Sequence, residues 1–427
     1  MTFPTSGSTD VRPTLFRART VLPITAPPIE DGAVLVRAGR IEAVGPAREL
    51  IEANPGVAVS DRPGVLTPGL INAHTHLNYT HAAHLFGNGK PFAEWIQGFP
   101  PIIASSTPQV WRDSAQAGIA AMLASGCTAA ADVVTGAAAL TAQRDAGLAG
   151  IGYYETVLVD QAGWAGRREA WLADLDEALD GAPTGAAAGV GISPHSAYTV
   201  DGAVLADLAG LARARGVRLH PHAAEQDDEV EFVATGTGLF AEWARDGDLA
   251  LGLLDGGSGR TPVAEYAAHG LIGTDVHLAH GVHVDAVDRQ RLREQGTPVA
   301  LCPRSNARLA CGEAPVAAYR AEGNPVGIGT DSLASSPSLD LLAEARAVFD
   351  LARAQGSPEP GLAEWIVRAL TLGGAKCLGR NDIGRLEPGA RADLAVFDVA
   401  SGDPYRALVT EGAGTCRLTV VAGEVRT

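Results

Sequence analysis

Lysine is almost absent from this 427-residue chain: Lys90 and Lys376 are the only two, so nearly all of its 33 basic residues are arginine. Against 49 acidic residues the net charge is −16, which argues against nucleic acid or an anionic membrane as the main partner. The five cysteines (Cys127, Cys302, Cys311, Cys377 and Cys416) are odd in number, widely spaced and without any C-x-x-C. Neither a disulfide scaffold nor a zinc ribbon is indicated. No apolar run reaches the roughly 18 residues of a membrane span, and Met1–Thr20 lacks the apolar core of a signal peptide, so a cytoplasmic location is expected. Short-period repeats and long low-complexity tracts are missing too. What is abundant is hydrophobic sequence, at 46%, enough for a large core and incompatible with wholesale disorder.

The ends of the chain read differently from its middle. Val34–Val44 suggests two short strands about the Ala38-Gly39 turn, Asp393–Asp398 a further strand, and Leu418–Val425 a second hairpin of similar design. Neither end has enough strands for an independent sheet, so the two are expected to pair. Between them lie eight apolar runs, at 68–77, 126–135, 150–159, 189–200, 217–225, 274–284, 298–306 and 325–332, separated by Ala/Leu/Arg stretches of helical periodicity such as Val204–Arg215. Continuous apolar strands alternating with helices predict parallel strands covered on the outside. The expected fold class is therefore α/β: a (β/α)8 TIM barrel over residues 68–379, with a small β-sandwich domain composed of residues 1–67 and 380–427. An open doubly wound sheet would show a glycine-rich turn after its first strand. Here the first strand ends in histidines.

In such barrels chemistry sits where strands end and the following loops begin. The first run ends at His74-Thr75-His76, whose imidazoles share a side because strand period is two. Others end at His195, at His222 with Glu225 beyond it, at His280, and at Asp331. Each alone has an ordinary explanation, such as a helix cap for Asp331; together they converge on one rim. His74, His76, His222 and Asp331 supply three nitrogens and one oxygen, a set suited to one Zn2+ or, second, Fe2+. Zinc lowers the pKa of water from about 15.7 to about 7. Asp331 is positioned to take the water proton, His280 to orient hydroxide, Glu225 to protonate a substrate ring nitrogen, and His195 to bind substrate. Two-metal versions of this chemistry use a carboxylated lysine on the fourth strand. Lys90 and Lys376 lie far from the 189–200 run, so a single metal is expected. His220 is read as core one layer beneath His222, His277, of opposite parity to His280, as facing outward or into the loop, and Asp132 and Glu155 as hydrogen-bonding support. Asp227, Asp228, Glu229 and Glu231 are read as a solvated helix start.

The segments Pro68–Leu77, His222–Glu225, Leu278–His283, Gly329–Ser332 and Gly384–Leu394 together resemble the amidohydrolase superfamily, specifically its mononuclear deaminase and chlorohydrolase branch. The resemblance implies the metal ligands and proton-transfer residues named above. Phe92–Ile96 is similar to a substrate-contacting segment of purine-nucleoside deaminases, with Glu94 at the ribose hydroxyls, and Pro194–Tyr198 to the motif whose histidine meets the purine. Leu301–Asn306 with Thr330–Ser338 looks most like aminodeoxyfutalosine deaminases of menaquinone biosynthesis, with Arg304 at the substrate carboxylate and Arg308 second. The implied reaction is conversion of 6-amino-6-deoxyfutalosine to futalosine and ammonia. Alternatives are deamination of methylthioadenosine, adenosylhomocysteine or adenosine, dechlorination of an aromatic ring, and a barrel that has lost catalysis and serves as a scaffold. The intact ligand set argues against the last. A homodimer is compatible with this barrel class.

Overall fold

The computed structural model describes residues 12–88 and 90–427. Both ends of the chain meet in one mixed seven-stranded sheet. The N-terminal part contributes β1 (Thr14–Val21), β2 (Ile29–Arg37), β3 (Arg40–Pro46) and β4 (Ala58–Pro68), and the C-terminal part β13 (Leu394–Phe397), β14 (Cys416–Val421) and β15 (Glu424–Val425). Their order is β15-β14-β13-β4-β1-β2-β3. The two ends join where β4 runs antiparallel to β13, with Pro68 opposite Leu394. Both expected hairpins form, and each turns on an Ala-Gly pair with positive φ at both residues: Ala38 at 49° and Gly39 at 73°, Ala422 at 48° and Gly423 at 83°. That conformation matches the right-handed twist of the flanking strands. One face of the sheet buries Phe16, Val34, Val36, Leu394 and Val396; the other buries Leu15, Ala33 and Leu35 together with Ala47.

The middle of the chain is a (β/α)8 barrel. Its strands are β5 (Leu70–Thr75), β6 (Cys127–Val134), β7 (Ile151–Thr156), β8 (Val190–Pro194), β9 (His222–Ala223), β10 (Leu278–His280), β11 (Val299–Leu301) and β12 (Val326–Ile328). They form two parallel arcs, β5-β6-β7-β8 and β12-β11-β10-β9. One seam closes through Leu219, bridged to Ile192 on one side and Val276 on the other. At the other seam Thr330 N and Asp331 N both donate to His74 O at 3.0 Å. That approach needs Gly329, where an added Cβ would stand 2.7 Å from the backbone N and O of His74. Covering helices start at side-chain caps, among them Thr107, Asp160, Asp201, Asp285 and Asp340, each accepting from a first-turn amide.

Between β5 and the helix Pro108–Ala124 the chain makes a long excursion of short helices, Leu77–Asn88, Phe92–Trp95 and Phe99–Ser105. It is fastened across the C-terminal rim of the barrel, with Phe92 N donating to Leu309 O at 3.0 Å and Trp95 Nε1 to Ala334 O at 2.9 Å. No helix among the described residues is long and apolar enough to cross a membrane.

Candidate metal centre and active site

The strand ends bring four side chains to one point. His76 Nε2 lies 3.3 Å from His222 Nε2 and 3.5 Å from Asp331 Oδ1, and His74 Nε2 lies 3.6 Å from the same oxygen. Donors bound to zinc at about 2.0–2.1 Å in a tetrahedron are separated by about 3.3–3.4 Å. The observed separations therefore fit a divalent ion held by His74, His76, His222 and Asp331. His74 Nε2 is buried and has no hydrogen-bond partner, as expected of a nitrogen reserved for a metal.

Protonation states agree with this use. Burial, then the His74 imidazole, pushes His76 down to about 3, and burial, then His195, holds His222 well below the usual histidine range. Both are neutral near pH 7. Burial would raise Asp331, but the imidazoles of His74, His76 and His280 around its carboxylate hold it well below the ordinary value. Asp331 is further fixed by Ser305 Oγ and Ser335 Oγ, which donate to Oδ2 at 2.6 and 2.8 Å, leaving Oδ1 to face the histidines.

Behind the four donors stands a histidine that the sequence suggested was mere core. His220 Nδ1 lies 3.0 Å from His277 O, a pure acceptor, so Nδ1 carries the proton and Nε2 is an acceptor. That Nε2 lies 2.8 Å from His74 Nδ1, which must then be the protonated nitrogen of His74. The pair fixes the tautomer that leaves His74 Nε2 its lone pair. Parity contained the signal: His74 with His220 and His76 with His222 are two successive layers of the same barrel wall.

His277 does not face outward. It is fully buried, stacks on His220 with ring centroids 3.7 Å apart, and its Nε2 donates to Ala73 O. Strand alternation does not extend to His280, whose φ of 71° is a left-handed conformation at the strand end that turns its side chain inward to the substrate cavity. Asp331 shares that conformation at φ 56°. Strain of this kind in non-glycine residues concentrates at functional sites.

His280 Nδ1 lies 3.0 Å from Asn306 Oδ1, so Nδ1 holds the proton and Nε2 presents its lone pair 3.6 Å from Glu225 Oε1. Glu225 is buried, and burial, then Asp331 and Glu229, raises its carboxyl well above the ordinary value. That shift favours the protonated acid over the carboxylate. The acidic run after it is not uniformly solvated: Glu229 is fully buried and accepts from Ala224 N and Glu225 N at 2.9 and 2.8 Å, tethering the loop that carries Glu225.

These groups form the floor of a cavity of about 230 Å3 whose walls are Tyr79, Phe99, Tyr198 and Trp243, with Leu158 at its edge. His195 belongs to the wall. Its Nδ1 contacts Ser196 Oγ and Thr199 Oγ1 at 2.8 and 2.9 Å, and burial, then His280, drives it down to about 3. Glu155 also lines the cavity, where sequence reasoning assigned only a supporting role. Two expected substrate contacts lie elsewhere. Arg304 lies 3.5 Å from the fully buried Glu344 and bonds Ser338, and neither it nor Arg308 lines the cavity. Glu94 is 61% exposed and meets Lys90 at 3.6 Å. No lysine or arginine among the described residues lines the cavity.

The amidohydrolase family model matches residues 65–426, which include the barrel and the C-terminal strands. The chain belongs to the amidohydrolase family. It is a hydrolase acting on carbon–nitrogen bonds. A second, short match, to an imidazolonepropionase-like composite domain, covers residues 32–56 in the small β domain of this amidohydrolase. A 5-methylthioadenosine/S-adenosylhomocysteine deaminase of Natronomonas pharaonis is 36% identical, over 91% of this chain and 86% of that protein. An 8-oxoguanine deaminase of Pseudomonas aeruginosa is 30% identical, over 92% and 89% respectively. A crystal structure of an adenosine deaminase from Xanthomonas campestris with bound zinc superposes with a TM-score of 0.80 at 26% identity, covering 97% of this chain and 92% of that one.

Proposed function

We propose that this amidohydrolase removes the 6-amino group of a purine nucleoside by hydrolysis, releasing ammonia. The observation that carries the reading is Glu225, a buried acid 3.6 Å from His280 beside the four-donor cluster, whose burial favours its protonated form. Amide-hydrolysing chemistry has little use for an acid aimed at a ring nitrogen, whereas an aminopurine cannot be attacked at C6 until N1 receives a proton. The relatives from Natronomonas and Pseudomonas are both named deaminases of purine compounds, which supports the same class.

A divalent metal held by His74, His76, His222 and Asp331, zinc in our reading because of the N3O set and tetrahedral spacing, would supply the Lewis acidity that makes hydroxide available near pH 7. Glu225 donates its proton to N1 as the attack at C6 proceeds. Asp331 Oδ1, ionised, takes one proton of the attacking water and passes it to the departing amino group, and the remaining hydroxyl proton returns to Glu225 as the C6 carbonyl forms. His280 Nε2 accepts a hydrogen bond from that water and orients it, and His195 borders the purine. The aromatic wall excludes bulk water from the ring.

The lining favours a nucleoside whose 5′ substituent is apolar and uncharged. No arginine or lysine among the described residues lines the cavity, so an anion on the 5′ substituent would lack a side-chain counter-charge. Methylthioadenosine meets this description. The aromatic mouth of Phe99 and Trp243 also favours an aryl 5′ substituent, and on that ground 6-amino-6-deoxyfutalosine, with a place in menaquinone biosynthesis, is the second reading; its carboxylate would meet solvent, because Arg304 is engaged by Glu344. The test is a panel of methylthioadenosine, adenosylhomocysteine, adenosine, AMP and 6-amino-6-deoxyfutalosine, followed by loss of 6-aminopurine absorbance, with metal content measured on the same sample. Methylthioadenosine is expected to give the highest kcat/KM and AMP none. Preference for 6-amino-6-deoxyfutalosine selects the second reading, and inertness toward every nucleoside rejects both.

A further inference from the structure

The carboxylate that the sequence suggested for ribose, Glu94, points to solvent and to Lys90 and does not line the cavity. Another carboxylate occupies the cavity. Glu155 ends β7, is 8% exposed, and lies with His195 and His222 in a group whose donor atoms are all within 4.8 Å of one another. Its Oε2 accepts from Thr135 Oγ1 at 2.6 Å. Thr135 Oγ1 is in turn 2.9 Å from Tyr79 OH, which must donate because the threonine proton is committed to Glu155. The chain Tyr79–Thr135–Glu155 holds one carboxylate oxygen, while Oε1 has no hydrogen-bond partner among the described residues. A free carboxylate oxygen of so nearly buried a residue, on the wall of a substrate cavity, is placed to meet a ligand donor.

We propose that Glu155 is the ribose-binding residue of this cavity, accepting hydrogen bonds from the sugar hydroxyls through Oε1. The proposal rests on the nucleoside reading above. Glu155 stands on the third strand of the barrel, whereas Glu225 stands beyond the fifth and Asp331 beyond the eighth. In the nucleoside reading the purine borders His195, and Glu155 is the cavity carboxylate grouped with His195 and His222, which leaves its free oxygen to the sugar. Its carboxylate also makes this wall repel a phosphate or carboxylate on the substrate. Glu155 is thus a binding and specificity residue and takes no part in proton transfer.

The test compares Glu155→Gln with the unmodified metal-loaded enzyme on two substrates, a ribonucleoside and its 2′,3′-dideoxy analogue. Glutamine keeps the shape and can still accept from Thr135. For the ribonucleoside KM is expected to rise about 10- to 100-fold with kcat little changed, the loss typical of a hydrogen bond to a charged group. For the dideoxy analogue the variant and the unmodified enzyme should have the same KM. An equal loss on both substrates would overturn the assignment, as would the same ribose-dependent split appearing in Glu94→Gln instead. Unmodified enzyme that deaminates no nucleoside would refute the functional reading itself, a result separable from failure of Glu155 because it does not involve the variant.

Discussion

Replacing His220 with phenylalanine separates metal binding from folding. Phenylalanine keeps a flat ring on His277, whose centroid is 3.7 Å away, but removes both ring nitrogens. His74 Nδ1 then loses the acceptor at 2.8 Å that fixes its tautomer, and His277 O loses the donor at 3.0 Å. Loss of a partner behind a metal-binding histidine weakens affinity about 10- to 100-fold, or about 1.4–2.7 kcal/mol. The unsatisfied carbonyl costs about 1–3 kcal/mol of fold stability, and that loss is present with or without metal. Two measurements distinguish the contributions: zinc affinity by competition with a chelator, and thermal unfolding of chelated protein. His220→Phe should lower both. A natively folded variant whose zinc affinity stays within about twofold of the parent would show that His74 does not depend on His220, and the tautomer argument would fail.

Glu225→Gln should retain bound metal while kcat falls about 10²- to 10⁴-fold, the usual contribution of a positioned acid; metal loss in parallel with activity would count against a proton-donor role. The pH profile carries the same information. The working form of Glu225 is protonated and its carboxyl is raised, so activity is present below that raised pKa and is lost as pH climbs through it. In the glutamine variant this alkaline limb of kcat/KM should vanish, and its persistence would assign it to another group. Gly329→Ala forces a methyl to 2.7 Å from the His74 backbone, which cannot yield as a side chain would, so the melting temperature and metal content should both drop. Gly210→Ala, inside the helix Gly202–Arg215 with nothing within 4 Å of the new methyl, should instead stabilise by about 0.5–1 kcal/mol.

The sequence by itself determined the architecture and the identity of the residues at the rim. Period-two alternation placed His74 with His76, and the apolar runs marked all eight barrel strands, because strand burial leaves a local imprint. The two Ala-Gly turns were equally legible, since positive φ at successive residues is a local requirement. Tertiary structure alone decided what each side chain faces. Arg304 meets Glu344, forty positions along the chain, and Glu155 turns into the cavity beside His195 rather than supporting it from behind. Parity could not place His277 and His280 together, because a left-handed φ at one residue breaks the alternation on which parity depends. Nor could composition reveal that a net charge of −16 is accompanied by a substrate cavity without a single cation among the described residues. Local patterns reflect burial and turn geometry; contacts across the barrel depend on strand stagger and loop path, which only the closed ring of strands sets.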